Sequence, residues 1–349
     1  MTPPPGVAVE SRDPGSTGAP GVLPAGPGAR PGPERRDLLD LETLPVPTLV
    51  RLLEGARAFQ RVLNSAERKR PVLAGTAVAN VFFEASTRTR VSFEWAEKRV
   101  GADSVSFSTQ GSSVSKGETL LDTVWTLESM GLDLIVVRHA SAGVPHFLAR
   151  HVSARVINAG DGAHEHPTQG LLDARTLLDA WGSLEGRRIA IVGDIAHSRV
   201  ARSAIWAFTK LGASVVLCGP ASLLPAAAGE GAFGGPEARV SATTELAEAV
   251  EGADAVMALR LQTERMERSV LPSNADFVRR YRLTQKRLAA AKPDVLVMHP
   301  GPMNRSVEIA SHVADSPRSV IRAQVTNGVA VRMAVLCWCR GLDPVEASS

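Results

Sequence analysis

The sequence predicts an α/β protein of two domains. Short apolar runs such as Val78 to Phe83 and Leu132 to Val137 read as buried strands. Each ends in a polar or glycine-bearing loop and leads towards a stretch with helical spacing, the alternation that builds sheets covered by helices. The length, 349 residues, suits two domains of ordinary size.

Taken in order, residues 1–36 hold nine Pro and seven Gly and almost no large apolar side chain. Such a composition cannot offset its ordering entropy, so the stretch reads as a disordered tail without a catalytic role. Pro47 to Leu63 gives the first helix, with Leu49, Leu52, Leu53, Ala56 and Phe59 on one face. The run from Val78 then enters Glu84-Ala-Ser-Thr-Arg-Thr-Arg90, with helical spacing behind it at Phe93, Ala96 and Val100. Arg88 and Arg90 fall in the first helical turn, where the macrodipole is already positive. With Ser86, Thr87 and Thr89 they form a candidate phosphate or carboxylate site. The alternative is a solvated helix start whose arginines pair with Glu84 or Glu94.

A strand over Ser104 to Phe107 precedes the polar loop 108–117. Ser115 and Glu118 have capping-box spacing for the next helix, and Lys116 stands at its mouth. The strand from Leu132 ends in Arg138 and His139, and the strand from Arg155 ends in Gly160-Asp-Gly-Ala-His-Glu-His-Pro-Thr-Gln169. Ligands in open α/β sheets bind at such carboxyl ends. His164 and His166 lack the further ligands a zinc site needs, so no metal is expected. Arg187 to Asp194 opens a second α/β unit. Its turn has no second glycine, and Cys218 and Gly219 stand where a ribose-binding acid belongs, which argues against a dinucleotide. A helix over Val200 to Leu211, strands over Ser214 to Cys218, Ala253 to Arg260 and from Asp294, and a last helix over Val329 to Arg340 complete the pattern.

The totals narrow the function. A net charge of +3, 4 % aromatic residues and one Tyr argue against a nucleic-acid partner. No run of about 18 apolar residues suggests a membrane span, and the first residues lack the pattern of a secretion signal. Cys218, Cys337 and Cys339 form no CxxC pair, so the reading is a reducing compartment, the cytoplasm.

Five loop segments occur in one order: Ser86-Thr-Arg-Thr-Arg90, Ser115-Lys-Gly-Glu-Thr119, His166-Pro-Thr-Gln169, Leu259-Arg-Leu-Gln262 and Met298-His-Pro-Gly-Pro302. In these the chain resembles the aspartate/ornithine carbamoyltransferase family over residues 37–343, and most closely the aspartate enzymes' catalytic chains. The resemblance implies transfer of a carbamoyl group from carbamoyl phosphate to L-aspartate in pyrimidine (UMP) biosynthesis, without a cofactor. It implies two doubly wound domains, a carbamoyl-phosphate domain over 37–181 and an aspartate domain over 182–318, with a C-terminal helix, 319–343, returning to the first. It also implies a homotrimer with shared sites, within which regulatory chains or a dihydroorotase are further candidate partners. By the same resemblance Ser86, Thr87, Arg88 and Thr89 cradle the phosphate. Arg138, His166 and Thr89 face the carbamoyl oxygen, and Gln169 its amide nitrogen. Pro300, Gly301 and Pro302 offer carbonyls to that amide. Arg199, Arg260 and Gln262 hold the aspartate carboxylates, and Lys116, with Ser112 or Ser113, comes from a neighbouring subunit. Ornithine enzymes carry Cys where Thr168 stands and a different run at His299 to Pro302, and their substrate calls for an acid rather than these cations. The rivals are thus another amine acceptor such as ornithine, or a non-catalytic anion-binding module of the same fold.

Overall fold

The computed structural model describes residues 35–108, 119–225, 239–261 and 274–349. Residues 1–34, and with them nearly all of the Pro/Gly-rich tail, lie outside these, as do Ser112, Ser113, Ser115, Lys116, Glu118 and Gln262.

The first unit alternates α1 (Val46–Asn64), β1 (Ala77–Phe82), α2 (Thr87–Val100), β2 (Asp103–Ser108), α3 (Leu120–Glu128), β3 (Leu134–His139), α4 (Val144–His151), β4 (Arg155–Asp161) and α5 (Pro167–Trp181). Its four strands are all parallel, in the order β2-β1-β3-β4. The second unit holds β5 (Arg188–Val192), α6 (Arg199–Lys210), β6 (Ser214–Cys218), β7 (Val240–Thr243), α7 (Leu246–Val250), β8 (Ala255–Ala258), α8 (Asn274–Tyr281), β9 (Leu296–Met298) and α9 (Ser311–Ala314). Its five strands are parallel in the order β7-β6-β5-β8-β9. The last helix, α10 (Ile321–Cys339), packs on α1, α2 and α5.

Parallel strands need crossover helices on both faces, so the strands are apolar on both sides: Leu134 to Val137 and Ile189 to Ile191 are fully buried. In each sheet the strand order reverses beside the first strand, between β1 and β3 and between β5 and β8. Such switch points open the crevice in which α/β proteins bind ligands.

Several elements differ from the sequence reading. The last helix starts eight residues before Val329, because Gln324 and Asn327 give it a buried polar face that apolar spacing does not reveal: the Asn327 amide donates to Thr176 Oγ1 at 3.0 Å. Thr119 caps α3, its hydroxyl accepting from the Asp122 amide at 3.2 Å, one residue beyond the proposed capping box. β8 stops at Ala258, which leaves Arg260 in the loop beyond it. The short elements α4, β7 and α8 carry too few buried residues to have been read.

Candidate active site

The loop after β1 and the start of α2 form the centre. Ser86 is the N-cap of α2 but its side chain accepts from no backbone N–H of the first turn; its hydroxyl donates instead to Thr89 Oγ1 at 3.0 Å. The first N–H groups of a helix have no intrahelical partner, so they remain for a ligand. Arg88 makes no ion pair or side-chain hydrogen bond among the described residues. A Cβ on Gly301 would lie 3.6 Å from its Cζ. Partial burial, and then the like charge of Arg260, lower its pKa. Arg88, Arg260 and the Pro300–Pro302 turn therefore converge from three separate loops. Arg90, by contrast, only lies near Glu94, at 3.7 Å and half exposed.

Glu84 does not pair with Arg88. Its carboxylate accepts from Arg138 at the end of β3, at 2.7 Å, and from both terminal nitrogens of Arg199 at the start of α6, at 3.1 and 2.5 Å. One acid thus joins the switch points of the two sheets. Backbone carbonyls fix the same guanidiniums: Ala159 accepts from Arg138 at 3.1 Å and Gly162 from Arg199 at 3.2 Å. The glycine between them is required. Gly160 has φ +118°, and a Cβ there would lie 3.0 Å from Arg199 Nε and 3.1 Å from Arg138 Nη1.

His166 is the N-cap of α5, followed by Pro167. Its backbone amide donates to Ser203 Oγ of α6 at 2.8 Å, and its ring Nδ1 is buried with no hydrogen-bond partner. Burial, with Arg138, Arg332 and Arg199 nearby, drives its pKa well below the ordinary value, so the ring is neutral at pH 7. One turn on, Gln169 Nε2 donates to buried Asp173 at 2.9 Å. The Pro300–Pro302 turn is fastened by His299, whose Nδ1 accepts from the Gly301 amide at 2.8 Å.

Sequence reasoning missed the residues behind these: Asp173, Ser203, Gln324 and Arg332. Asp173 stands four residues after Gln169, on the same helical face, and that spacing was the available signal.

A second cluster involves Asp40, His146, Asp161 and His164. His146, Asp161 and His164 bring ligand atoms within 4.8 Å of one another, and so do Glu42, His164 and Glu165. Their groups are already engaged: His146 with Asp40 at 2.8 Å, His164 with Asp161 at 3.1 Å, and Asp161 also with the Gly143 amide at 2.7 Å. His166 belongs to neither group.

Two parallel sheets, with Arg138 at the carboxyl end of one and Arg199 beyond the first strand of the other, joined through Glu84, define a two-lobed α/β protein. The family model described as aspartate/ornithine carbamoyltransferase, carbamoyl-P binding domain, matches residues 36–179. The Asp/Orn binding domain of the same family matches residues 185–339. The aspartate carbamoyltransferase catalytic subunit of Gemmatimonas aurantiaca is 53% identical over 318 residues, 91% of this chain and 98% of that one. The subunit of the same name from Heliobacterium modesticaldum is 51% identical over 311 residues, 88% of this chain and 96% of that one. Among solved structures, the Trypanosoma cruzi aspartate transcarbamoylase in complex with carbamoyl phosphate has a TM-score of 0.77 at 30% identity, covering 86% of this chain and 95% of that one. The ornithine carbamoyltransferase from Pyrococcus furiosus has a TM-score of 0.76 at 30% identity, covering 86% and 96%. The chain belongs to the aspartate/ornithine carbamoyltransferase family and is a carbamoyl-transferring enzyme.

Proposed function

We propose that the chain transfers the carbamoyl group of carbamoyl phosphate to L-aspartate, giving N-carbamoyl-L-aspartate and phosphate, a step of pyrimidine biosynthesis. The observation that carries this reading is the set of cations from separate elements, Arg88 of α2, Arg138 of β3, Arg199 of α6 and Arg260 beyond β8, which suits two substrates that are both anionic. The fold alone does not choose the acceptor, since aspartate and ornithine enzymes are equally similar to it. The choice rests on Arg199 and Arg260, which suit a dicarboxylate and would repel the side-chain cation of ornithine, and on about 50% identity to chains named for aspartate.

In this reading the open N-terminus of α2, with Ser86, Thr87, Arg88 and Thr89, takes the phosphate. Arg138, neutral His166 and Thr89 donate to the carbonyl oxygen. Gln169 and the carbonyls of Pro300, Gly301 and Pro302 accept from the carbamoyl nitrogen. Arg199, Arg260 and Gln262 hold the carboxylates of aspartate. The amine attacks the carbonyl carbon, negative charge grows on its oxygen, the C–O bond to phosphate breaks, and the leaving phosphate takes the amine proton. Donors fixed before reaction are worth on the order of 10²–10³ in rate each, and holding two substrates together supplies roughly 7–11 kcal/mol.

Residues 37–181 with 319–343 form the carbamoyl-phosphate unit and 182–318 the aspartate unit, while 1–36 take no part in chemistry. The working form is a cytoplasmic homotrimer in which a neighbouring subunit supplies Lys116 and Ser112. The test is product formation by the purified chain from carbamoyl phosphate with aspartate and, in parallel, with ornithine. Product with aspartate alone supports the reading. Product with ornithine alone overturns the roles of Arg199 and Arg260, and binding of carbamoyl phosphate without product with either amine overturns catalysis by the chain alone.

A further inference from the structure

Asp173 has no counterpart in the five loop segments, yet it ties two of them together. It is fully buried on α5. Its Oδ1 accepts from Gln169 Nε2 at 2.9 Å and from Gln324 Nε2 of α10 at 2.7 Å. Gln324 Oε1 in turn accepts from the His299 amide at 3.0 Å, and His299 Nδ1 accepts from the Gly301 amide at 2.8 Å. The other ring nitrogen of His299 meets Glu308 Oε1 at 3.1 Å, which holds the imidazole in place. An unbroken chain of hydrogen bonds thus runs from Gln169 to the Pro300–Pro302 turn.

The chemistry of this chain is directional. Both amides reach the same oxygen, Oδ1, which accepts from each whether or not Oδ2 carries a proton, so the NH₂ end of each glutamine faces Asp173. The amide orientation of both glutamines follows. Gln324 presents its oxygen to His299. Gln169 is left with its own oxygen, which accepts no bond among the described residues. The turn at Pro300 to Pro302 offers carbonyl oxygens, its two prolines carry no N–H, and the Gly301 N–H is taken by His299 Nδ1. Everything this network presents towards the substrate is therefore an acceptor.

We propose that Asp173 is a positioning residue for donor specificity: by fixing Gln169 and, through Gln324 and His299, the Pro300–Pro302 turn, it makes a pocket that accepts only a group with N–H donors. This rests on the carbamoyl phosphate reading above. Acetyl phosphate has the same shape and phosphate but a methyl in place of the NH₂, so it leaves these acceptors unpaired. A site built around hydrogen bonds rejects an analogue that cannot make them.

The readout is the ratio of the acetyl phosphate inhibition constant to the carbamoyl phosphate dissociation constant, beside the affinity for inorganic phosphate. Asp173→Ala should lower that ratio at least tenfold and leave phosphate affinity within about twofold, because the residues of α2 proposed to bind phosphate are not members of this hydrogen-bond chain. Asp173→Asn, which keeps an acceptor at Oδ1, should restore the ratio. Gln324→Leu cuts only the link to the turn and should lower the ratio while Gln169 stays held; it decides the matter should Asp173→Ala not fold. A folded Gln324→Leu or Asp173→Ala with the wild-type ratio overturns the proposal, as does a loss of phosphate affinity equal to the loss for carbamoyl phosphate. Wild-type turnover with aspartate is measured first. Its absence removes the underlying reading, whereas its presence with an unchanged ratio in the variants removes only the role of Asp173.

Discussion

The helix that opens on the phosphate residues also buries an acid, and removing that charge should stabilise the protein at high pH only. Glu97 on α2 is fully buried. Asn80 Nδ2 of β1 donates to both its oxygens, at 3.0 and 2.9 Å, and the Ser104 hydroxyl of β2 donates to Oε2. Among the described residues no cation forms an ion pair with it. Burial pushes its pKa from 4.5 up to about 7, with the Ser104 and Asn80 bonds opposing. At about 1.4 kcal/mol for each pH unit, that corresponds to a penalty of about 3 kcal/mol for the ionised form. The sign follows from linkage. Between about pH 4.5 and 7 the native state binds the proton more tightly than the unfolded chain, so this contribution is fully present below 4.5 and is lost as pH rises through about 7. Glu97→Gln removes the titration. Its oxygen still accepts from Asn80 Nδ2, as a Glu97 oxygen does now. Urea unfolding of both proteins at pH 5 and pH 8 measures this. The variant should gain about 2–3 kcal/mol over wild type at pH 8 and little at pH 5. A difference that does not change with pH, or a variant weaker at pH 8, would refute the reasoning.

Other perturbations test the site. Arg88→Ala should reduce turnover by on the order of 10²–10³ without lowering the melting temperature, since Arg88 holds nothing else in the fold; turnover near wild type would remove its phosphate role. Glu84→Gln should raise the aspartate KM more than the carbamoyl phosphate KM, because Glu84 gives Arg199 two charge-assisted bonds and Arg138 one, while each guanidinium keeps its main-chain carbonyl; steady-state kinetics with each substrate varied would show it. Gly160→Ala should cut kcat/KM at least tenfold, since its Cβ meets Arg199 and Arg138 at a φ of +118°; unaltered kinetics would mean that the two guanidiniums move at no cost. The pH dependence of kcat should show no acid limb near 6.5 from His166, whose ring is already neutral there.

The fold was legible where burial made the sequence apolar. The runs at Val78, Leu132 and Arg187 became β1, β3 and β5 because parallel strands are covered on both faces. It was illegible where burial is polar. The first turns of α10 lie outside the apolar spacing that begins at Val329, since Gln324 and Asn327 look like surface residues until their partners on α5 are known, and only the helix over 319–343 implied by the resemblance includes them. The site divides in the same way. Arg88 and Arg138 were singled out from their places at a helix start and a strand end, which the local sequence reveals, whereas His166 and Arg199 entered the site only through the resemblance. Glu84 was visible, but as a neighbour of Arg88. Its partners lie 54 and 115 residues away, and only the packing of the two sheets brings them together.

That packing also explains why so many cations are tolerated at one site. Arg138, Arg199 and Arg332 all act on His166, and the result is a neutral ring rather than a fourth charge. Each guanidinium is fastened by a main-chain carbonyl, of Ala159, Gly162 and Gly328 respectively. A carbonyl fixes direction but does not neutralise charge. Glu84 is an acid shared by two of them, and Arg332 is buried with its pKa lowered to about 10. Asp173, which offsets Arg332, is itself pushed up to about 7 by burial. The protein therefore holds a surplus of positive charge in fixed orientation, at a cost to its own stability. Such an arrangement is favourable once anions arrive between the lobes, and it needs no reorganisation when charge grows on a carbonyl oxygen in the reaction.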